Sequence, residues 1–304
     1  MVKTMKLSGA ESMSAAANVF IGQTEAPLLV KPYLEKMSKS EMLCLMTGGM
    51  ATVAGGVLAA YVGFLGGDDP VQQQMYATHL LTASIMNAPA GIAMAKISFP
   101  ETQEHNVNRA LTISKDKIGS NVLDALTLGI LDGLKLAVNV GAMLLAFIAM
   151  IALINFMILK GVGSWTGLND YIIEATSGKY EGFSLQFILG LIFSPIAWLM
   201  GVPSVDMTLI GQLLGEKIIL NEFYAYVSLG QMKAVEALSS QKSIIIATYA
   251  LCGFANFSSI GIQIGGISSL APGQRTNLSS LGLRALLAGT LACLLTGTIA
   301  GVIV

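Results

Sequence analysis

The chain has 304 residues, of which 54% are hydrophobic and 12% are charged, and its formal net charge is −1. Because a soluble domain carries about 25% charged residues, this composition excludes an ordinary soluble protein and indicates an integral membrane protein. The near-zero charge argues against a nucleic-acid-binding protein, and the three isolated cysteines argue against a metal site or a disulfide framework.

The first predicted element is a hairpin over residues 8–37, with the polar sequence GQTEAP at residues 22–27 as its tip. Each apolar arm has about 10–13 residues, whereas a helix needs about 20 to cross a bilayer. This length predicts a re-entrant hairpin whose helix ends point at a site near the middle of the membrane. A carboxylate is costly to bury there, so Glu25 marks a candidate functional site, with Gln23 and Thr24 beside it.

The span over residues 41–64 contains two pairs of adjacent glycines, one on each side of Thr52. Each glycine weakens a helix by up to about 1 kcal/mol relative to alanine. We therefore expect a broken helix whose unwound part lines a cavity at membrane depth. The next span, residues 75–97, contains Pro89, which predicts a kink.

The middle of the chain is less regular. Residues 99–135 are more polar and amphipathic, which predicts helices that lie along the membrane surface. Residues 136–159 form the most continuous apolar run and predict a transmembrane helix. Residues 184–200, with Trp198 near their end, suit a helix at the membrane interface.

The pattern of the first hairpin returns from residue 205 onwards. An apolar arm ends at Glu222, a span over residues 243–264 is interrupted at residues 252–259, and residues 283–304 form the final span. The order hairpin, broken span, plain span thus occurs twice. A duplicated unit of this kind is typical of secondary transporters, with the substrate site at the interface of the repeats.

The sequence therefore predicts an all-α membrane protein, an inverted-repeat secondary transporter with two re-entrant helical hairpins and two broken transmembrane helices. Its expected location is the plasma membrane, or the inner membrane of a bacterium. The predicted segments are residues 1–98 (first repeat of the transport domain), 99–135 (surface helices), 136–204 (scaffold helix and interfacial helix) and 205–304 (second repeat).

A transporter of a polar solute needs hydrogen-bonding groups that replace water. Glu25 and Glu222 are carboxylates in equivalent positions of the two repeats, and a carboxylate accepts two bonds in a fork, for example from a cis-diol. Asn256 and Ser259 lie in the second broken span, and Phe254 offers a flat face for stacking a ring.

Structural alternatives remain open for each of these residues. Either carboxylate could pair with a lysine, Asn256 and Ser259 could cap the broken helix, and Phe254 could be ordinary packing. Asn18 and Thr52 are polar residues that could form plain interhelical hydrogen bonds.

Four segments in one order resemble the concentrative nucleoside transporter family: residues 22–34 (GQTEAPLLVKPYL), 46–58 (MTGGMATVAGGVL), 220–226 (LNEFYAY) and 251–262 (LCGFANFSSIGI). The similarity runs through the whole chain. The resemblance implies a homotrimer that couples nucleoside uptake to a cation gradient. Each protomer would have a scaffold domain and a mobile transport domain.

The resemblance also implies two sites. The implied substrate site comprises Gln23, Thr24 and Glu25 at the nucleobase, Glu222, Asn256 and Ser259 at the ribose, and Phe254 beside the ligand. The implied sodium site comprises Asn18, Ile21, Thr52 and Val53. Asn18 and Thr52 supply oxygen donors, which suit a hard cation, so sodium is favoured over protons as the coupling ion.

The family has further transmembrane helices before the first hairpin, and we expect this chain to be an N-terminally short member. Two hypotheses follow: a cation-coupled nucleoside symporter that works by alternating access, or an inactive or split transporter fragment lacking the N-terminal scaffold helices. An enzyme is not expected, because no nucleophile–base pair or metal-ligand set converges at membrane depth. We likewise expect no cofactor besides the coupling ion, and no nucleic-acid partner.

Overall fold

The computed structural model describes residues 7–102 and 121–304, and these two ranges contain helices and no β-strand. The fold is all-α there, as the sequence predicts. Two compact units are formed, one by Met1–Leu111 with Ile188–Val304 and the other by Thr112–Phe187.

The first hairpin consists of α1 (Gly9–Asn18) and a return arm made of two short helices, α2 (Ala26–Leu29) and α3 (Lys31–Leu34). A capping box at Ser8 starts α1. The return arm is more broken than its apolar pattern predicts. Each of its short helices has a proline in its first turn, and proline, which lacks an N–H, cannot continue a preceding helix.

The first broken helix is formed by α4 (Lys39–Ala51) and α5 (Gly55–Gly66), which are separated by residues 52–54. Thr52 is extended, with φ −107° and ψ 170°, so the helical hydrogen-bond pattern stops there. The predicted break is confirmed. The plain helix α6 (Pro70–Ser98) follows and begins at Asp69, whose carboxylate accepts from the Val71 N–H at 2.9 Å.

The smaller unit contains α7 (Val122–Phe156), a π-helical turn at Met157–Gly163 and α8 (Leu168–Ala175). The predicted boundary at residues 135 and 136 falls inside α7, because the Asn121 side chain caps the helix well before the apolar run. The predicted surface segment and the predicted span thus share one helix. Residues 103–120 of that segment lie outside the described residues.

The second half repeats the order of the first. The apolar helix α9 (Leu185–Leu199) leads to a hairpin of α10 (Met207–Ile219) and α11 (Glu222–Ala234). Next comes the second broken helix, with arms α12 (Gln241–Leu251) and α13 (Phe257–Leu270), and then the plain helix α14 (Arg275–Ile303).

The interruptions of the two broken helices lie against each other. Gly253 in the second interruption has φ +145°, and a Cβ at this position would lie 2.5 Å from the carbonyl oxygen of Ala51. The plain helices satisfy the backbone oxygen that the break leaves free: Asn87 Nδ2 of α6 donates to the Cys252 carbonyl at 2.6 Å, and Cys293 Sγ of α14 lies 3.1 Å from the same oxygen.

Several helices are suited to lipid by length and by surface. On α14, exposed leucines recur every four residues, at Leu283, Leu287, Leu291 and Leu295. The described residues contain four helical segments long and apolar enough to cross a membrane: Lys39–Gly66, Pro70–Ser98, Ala149–Thr166 and Pro272–Ile303. The protein is therefore an integral membrane protein.

Candidate functional site

A buried carboxylate lies where the second hairpin meets both broken helices. Glu222 is the first residue of α11 and is only 5% exposed. Its Oε2 accepts from Asn256 Nδ2 at 2.7 Å, and its Oε1 accepts from the Tyr61 hydroxyl at 3.3 Å. A buried carboxylate is costly unless its oxygens are hydrogen-bonded, so these two donors offset part of the cost of burying Glu222.

Asn256 caps a helix and binds the carboxylate at the same time. Its Oδ1 accepts from the Ser259 N–H at 2.8 Å and so begins α13, while its amide nitrogen faces Glu222. The capping alternative that the sequence left open is thus realised together with the contact to Glu222. The interruption before α13 aims the Asn256 side chain at the hairpin.

The tip of the first hairpin is joined to the second broken helix through Gln23. Its Nε2 donates to Ser259 Oγ at 3.1 Å, and its Oε1 accepts from Gln263 Nε2 at 2.9 Å. The Gln263 side chain lies so close to α4 that this helix needs a small residue there, because a Cβ at Gly49 would lie 2.8 Å from Gln263 Nε2. Gln23, Ser259 and Glu222 are therefore linked through α13 and its cap.

Three of the predicted residues are placed differently. Glu25 is exposed at the hairpin tip, and its carboxylate folds back over Gly22. Thr24 and Phe254 are half-buried. The two carboxylates, equivalent in sequence, therefore differ in environment: one is buried among donors and the other is open to a ligand or to solvent.

The predicted sodium ligands lie at the junction of α1 with the first broken helix. Asn18 ends α1 and is 1% exposed, and its Oδ1 accepts no hydrogen bond from the described residues. A Cβ at Gly48 would lie 3.3 Å from Asn18 Nδ2, and Thr52 Oγ1 donates to the Gly48 carbonyl at 2.9 Å. The Phe20 carbonyl accepts from the first N–H of α5 at 3.1 Å.

These residues fit a hard cation. A buried amide oxygen without a hydrogen-bond donor is uncommon in proteins, and Asn18 Oδ1 is therefore available as a ligand. Thr52, which is 2% exposed, adds a hydroxyl oxygen. Ile21 and Val53 are next to Phe20 and Thr52 in sequence, and they are half-buried and 1% exposed, respectively. Because their side chains are apolar, they could offer a cation only their main-chain oxygens.

Sequence reasoning missed two polar residues around this site. Tyr61 is fully buried and reaches Glu222, and Gln263 lies one helical turn after Ser259 on the same face. Polar groups inside apolar spans were the available signal for both. The sequence left open that Glu222 pairs with a lysine, and Lys217 is the lysine nearest to it in sequence. Its ammonium group instead donates to the Ala250 carbonyl at 2.8 Å, at the end of α12.

Two family models match this chain. Residues 79–301 match the model described as Na⁺-dependent nucleoside transporter C-terminus. Residues 1–68 match the model described as nucleoside recognition. Together they cover both hairpins and both broken helices.

Individual proteins are similar over nearly the whole chain. An uncharacterized transporter of Haemophilus influenzae is 44% identical over 305 residues, which is 99% of this chain and 68% of that protein. Sodium/nucleoside cotransporter 1 of Rattus norvegicus is 40% identical over 314 residues, which is 99% of this chain and 45% of that protein.

The structure of CNTnw in an inward-facing, substrate-bound state has a TM-score of 0.82 with this chain at 42% sequence identity. The match covers 98% of this chain and 65% of that one. The chain thus spans somewhat less than half the length of the rat protein and about two thirds of the other two.

Proposed function

Since this chain belongs to the Na⁺-dependent nucleoside transporter family, we propose that it carries nucleosides across the membrane by symport with sodium. The observation that carries the proposal is the buried Glu222 carboxylate, held by Asn256 on one oxygen and by Tyr61 on the other. Each carboxylate oxygen has a second lone pair, so both can still accept from a bound molecule.

The ribose of a nucleoside matches this carboxylate. Its 2′- and 3′-hydroxyls are neighbouring donors, and a carboxylate accepts from such a pair in a fork. Asn256 donates to Glu222, Ser259 follows it on α13, and both would contact the ribose. Gln23, Thr24 and Glu25 lie at the tip of the first hairpin and would supply donors and acceptors for a base. Glu25 is exposed at the hairpin tip and is therefore within reach of a ligand that enters from solvent. Phe254 supplies an aromatic surface beside the ligand.

Sodium is the proposed co-substrate. The unpaired Asn18 oxygen, the Thr52 hydroxyl and the main-chain oxygens of Ile21 and Val53 are the groups that would bind it. The ion would order the end of α1 and the interruption before α5. Because the hairpin tip that follows α1 also carries Gln23, ion binding and nucleoside binding would depend on the same segment.

Transport would proceed by alternating access. The two hairpins and the two broken helices would move together as the transport domain, and residues 136–204 would contribute to a stationary scaffold. We propose a homotrimer as the assembly. The nucleoside would cross the membrane unchanged, without an enzymatic step and without a cofactor besides the coupling ion.

Uridine binding to the purified chain, measured by isothermal titration calorimetry, tests the proposal. Sodium would be compared with choline, and Glu222→Ala with the wild type. Loss of two charge-assisted hydrogen bonds should weaken binding at least about 100-fold. Glu174→Ala, which removes an exposed carboxylate on α8, serves as the matched control. Equal affinity in sodium and choline, with and without Glu222, would refute both the coupling and the site.

A further inference from the structure

Tyr61 connects the substrate carboxylate to the helix that begins at the proposed sodium site. It lies on α5, is fully buried, and donates its hydroxyl to Glu222 Oε1 at 3.3 Å. The other carboxylate oxygen is bound by Asn256, which belongs to the second broken helix. Each oxygen of Glu222 is therefore held by a different repeat.

The start of α5 depends on the first interruption. Its first residue, Gly55, donates its N–H to the Phe20 carbonyl in the turn of the first hairpin. Tyr61 follows six residues later, about 9 Å further along the helix axis. If residues 52–54 become more or less ordered, the direction of α5 therefore changes, and the Tyr61 hydroxyl moves with it.

The contact between α5 and α11 is close enough to transmit such a change. The rings of Tyr61 and Tyr226 stack with centroids 4.1 Å apart, and the rings of Phe64 and Phe223 form an edge contact at 5.1 Å. The backbones also approach closely, since a Cβ at Gly230 would lie 2.7 Å from the Phe64 carbonyl oxygen. A shift of α5 must therefore either displace α11 or break the hydrogen bond to Glu222.

A further polar contact holds the far end of the same interface. Lys233 of α11 donates its ammonium group to the Leu65 carbonyl at 2.6 Å, near the end of α5. The ammonium group also lies 4.6 Å from the centroid of the Tyr76 ring. The α5–α11 interface is thus hydrogen-bonded at two places, by Tyr61 at the middle of α5 and by Lys233 at the last turn of α5.

We propose that Tyr61 is a positioning residue that transmits sodium binding at the first interruption to the Glu222 carboxylate. With the ion bound, α5 is held in one orientation, and the hydroxyl aligns the carboxylate for the two ribose hydroxyls. Without the ion, α5 loses this restraint and the carboxylate keeps only its Asn256 donor. Linkage then requires that the nucleoside tighten sodium binding by the same factor. This inference rests on the proposed function.

The test measures a coupling factor, defined as the uridine dissociation constant in choline divided by that in sodium. Tyr61→Phe keeps the ring and removes the hydroxyl. The coupling factor should fall about 5-fold, which corresponds to about 1 kcal/mol for one lost hydrogen bond. The fall should come from weaker binding in sodium, with little change in choline.

Tyr226→Phe is the matched control. It removes a hydroxyl from the other ring of the same stacked pair, and this hydroxyl donates to the Thr248 carbonyl at 2.6 Å rather than to Glu222. The coupling factor should stay at its wild-type value in this variant. An equal fall in both variants would show that general loosening of the core is responsible, and would overturn the inference.

The remaining outcomes separate the two proposals. If wild-type protein binds uridine equally in sodium and choline, the proposed function fails. If wild-type binding is coupled and Tyr61→Phe keeps the full coupling factor, the proposed function stands and the role of Tyr61 is refuted. Should Tyr61→Phe not fold, Lys233→Met loosens the same interface from its far end. It should lower the coupling factor, and an unchanged factor there would equally overturn the inference.

Discussion

The second interruption lies close to the end of α4 at Gly253, and Gly253→Ala tests the importance of this contact. The residue has φ +145°, which residues with a side chain rarely adopt. An added Cβ would lie 2.5 Å from the Ala51 carbonyl oxygen and 2.7 Å from Cys293 Sγ. Neither neighbour can move freely, because one is backbone at the end of α4 and the other is buried in α14.

The expected loss of stability combines two effects. A strained backbone conformation costs on the order of 1–3 kcal/mol, and overpacking a filled core costs about 1–3 kcal/mol. We therefore expect Gly253→Ala to lower the free energy of unfolding by about 2–6 kcal/mol. For a chain of this size the melting temperature should fall by roughly 3–10 °C. Because the clash lies beside the Asn256 cap, uridine binding should weaken as well.

Gly261→Ala is the control for this measurement. Gly261 lies on the exposed side of α13, and a Cβ there would meet no atom within 4 Å. Alanine should stabilise the helix by about 0.5–1 kcal/mol relative to glycine. The melting temperatures of the two purified variants are compared by tryptophan fluorescence. If Gly253→Ala melts at the same temperature as Gly261→Ala, the argument from close approach is wrong.

Two further predictions concern buried polar groups in the first half of the chain. Asn18→Leu removes the unpaired oxygen, so the sodium concentration for half-maximal uridine binding should rise at least about 10-fold; an unchanged sodium titration would contradict the proposed ion site. Lys96→Met leaves Glu11, which is 2% exposed, without its ion-pair partner and should destabilise the protein by about 3 kcal/mol. The double variant Glu11→Gln, Lys96→Met should recover part of this loss in a thermal melt, and no recovery would argue against an uncompensated charge.

The broken helices were predictable because their causes are local. Paired glycines around residue 52 and the sequence CGFAN at residues 252–256 lower helix propensity within a few residues, and the structure interrupts both helices there. The prolines at residues 27 and 32 are equally local, yet their effect on the return arm was underestimated. The helix α7 runs through the predicted segment boundary near residue 136, because it begins at the capping residue Asn121 rather than at the change in polarity.

The partners of the site residues were not predictable in the same way. Tyr61 meets Glu222 across 161 residues of sequence, and Gln23 meets Ser259 across 236. No local pattern specifies such a pair, since a hydroxyl or an amide inside an apolar helix has many possible acceptors. The choice among them depends on how the helices pack. Packing also gives Glu25 and Glu222 different exposures, although their positions in the two repeats are equivalent in sequence.

The sequence by itself determined that the protein is helical, that it lies in a membrane, and that two of its spanning helices are interrupted. These properties follow from composition and from backbone preferences, which act over one or two helical turns. The tertiary structure decided which buried oxygens are paired, that the side-chain oxygen of Asn18 is among those without a hydrogen-bond donor, and which carboxylate is enclosed. These properties depend on contacts between segments that are distant in sequence, and they are therefore set by how the helices pack.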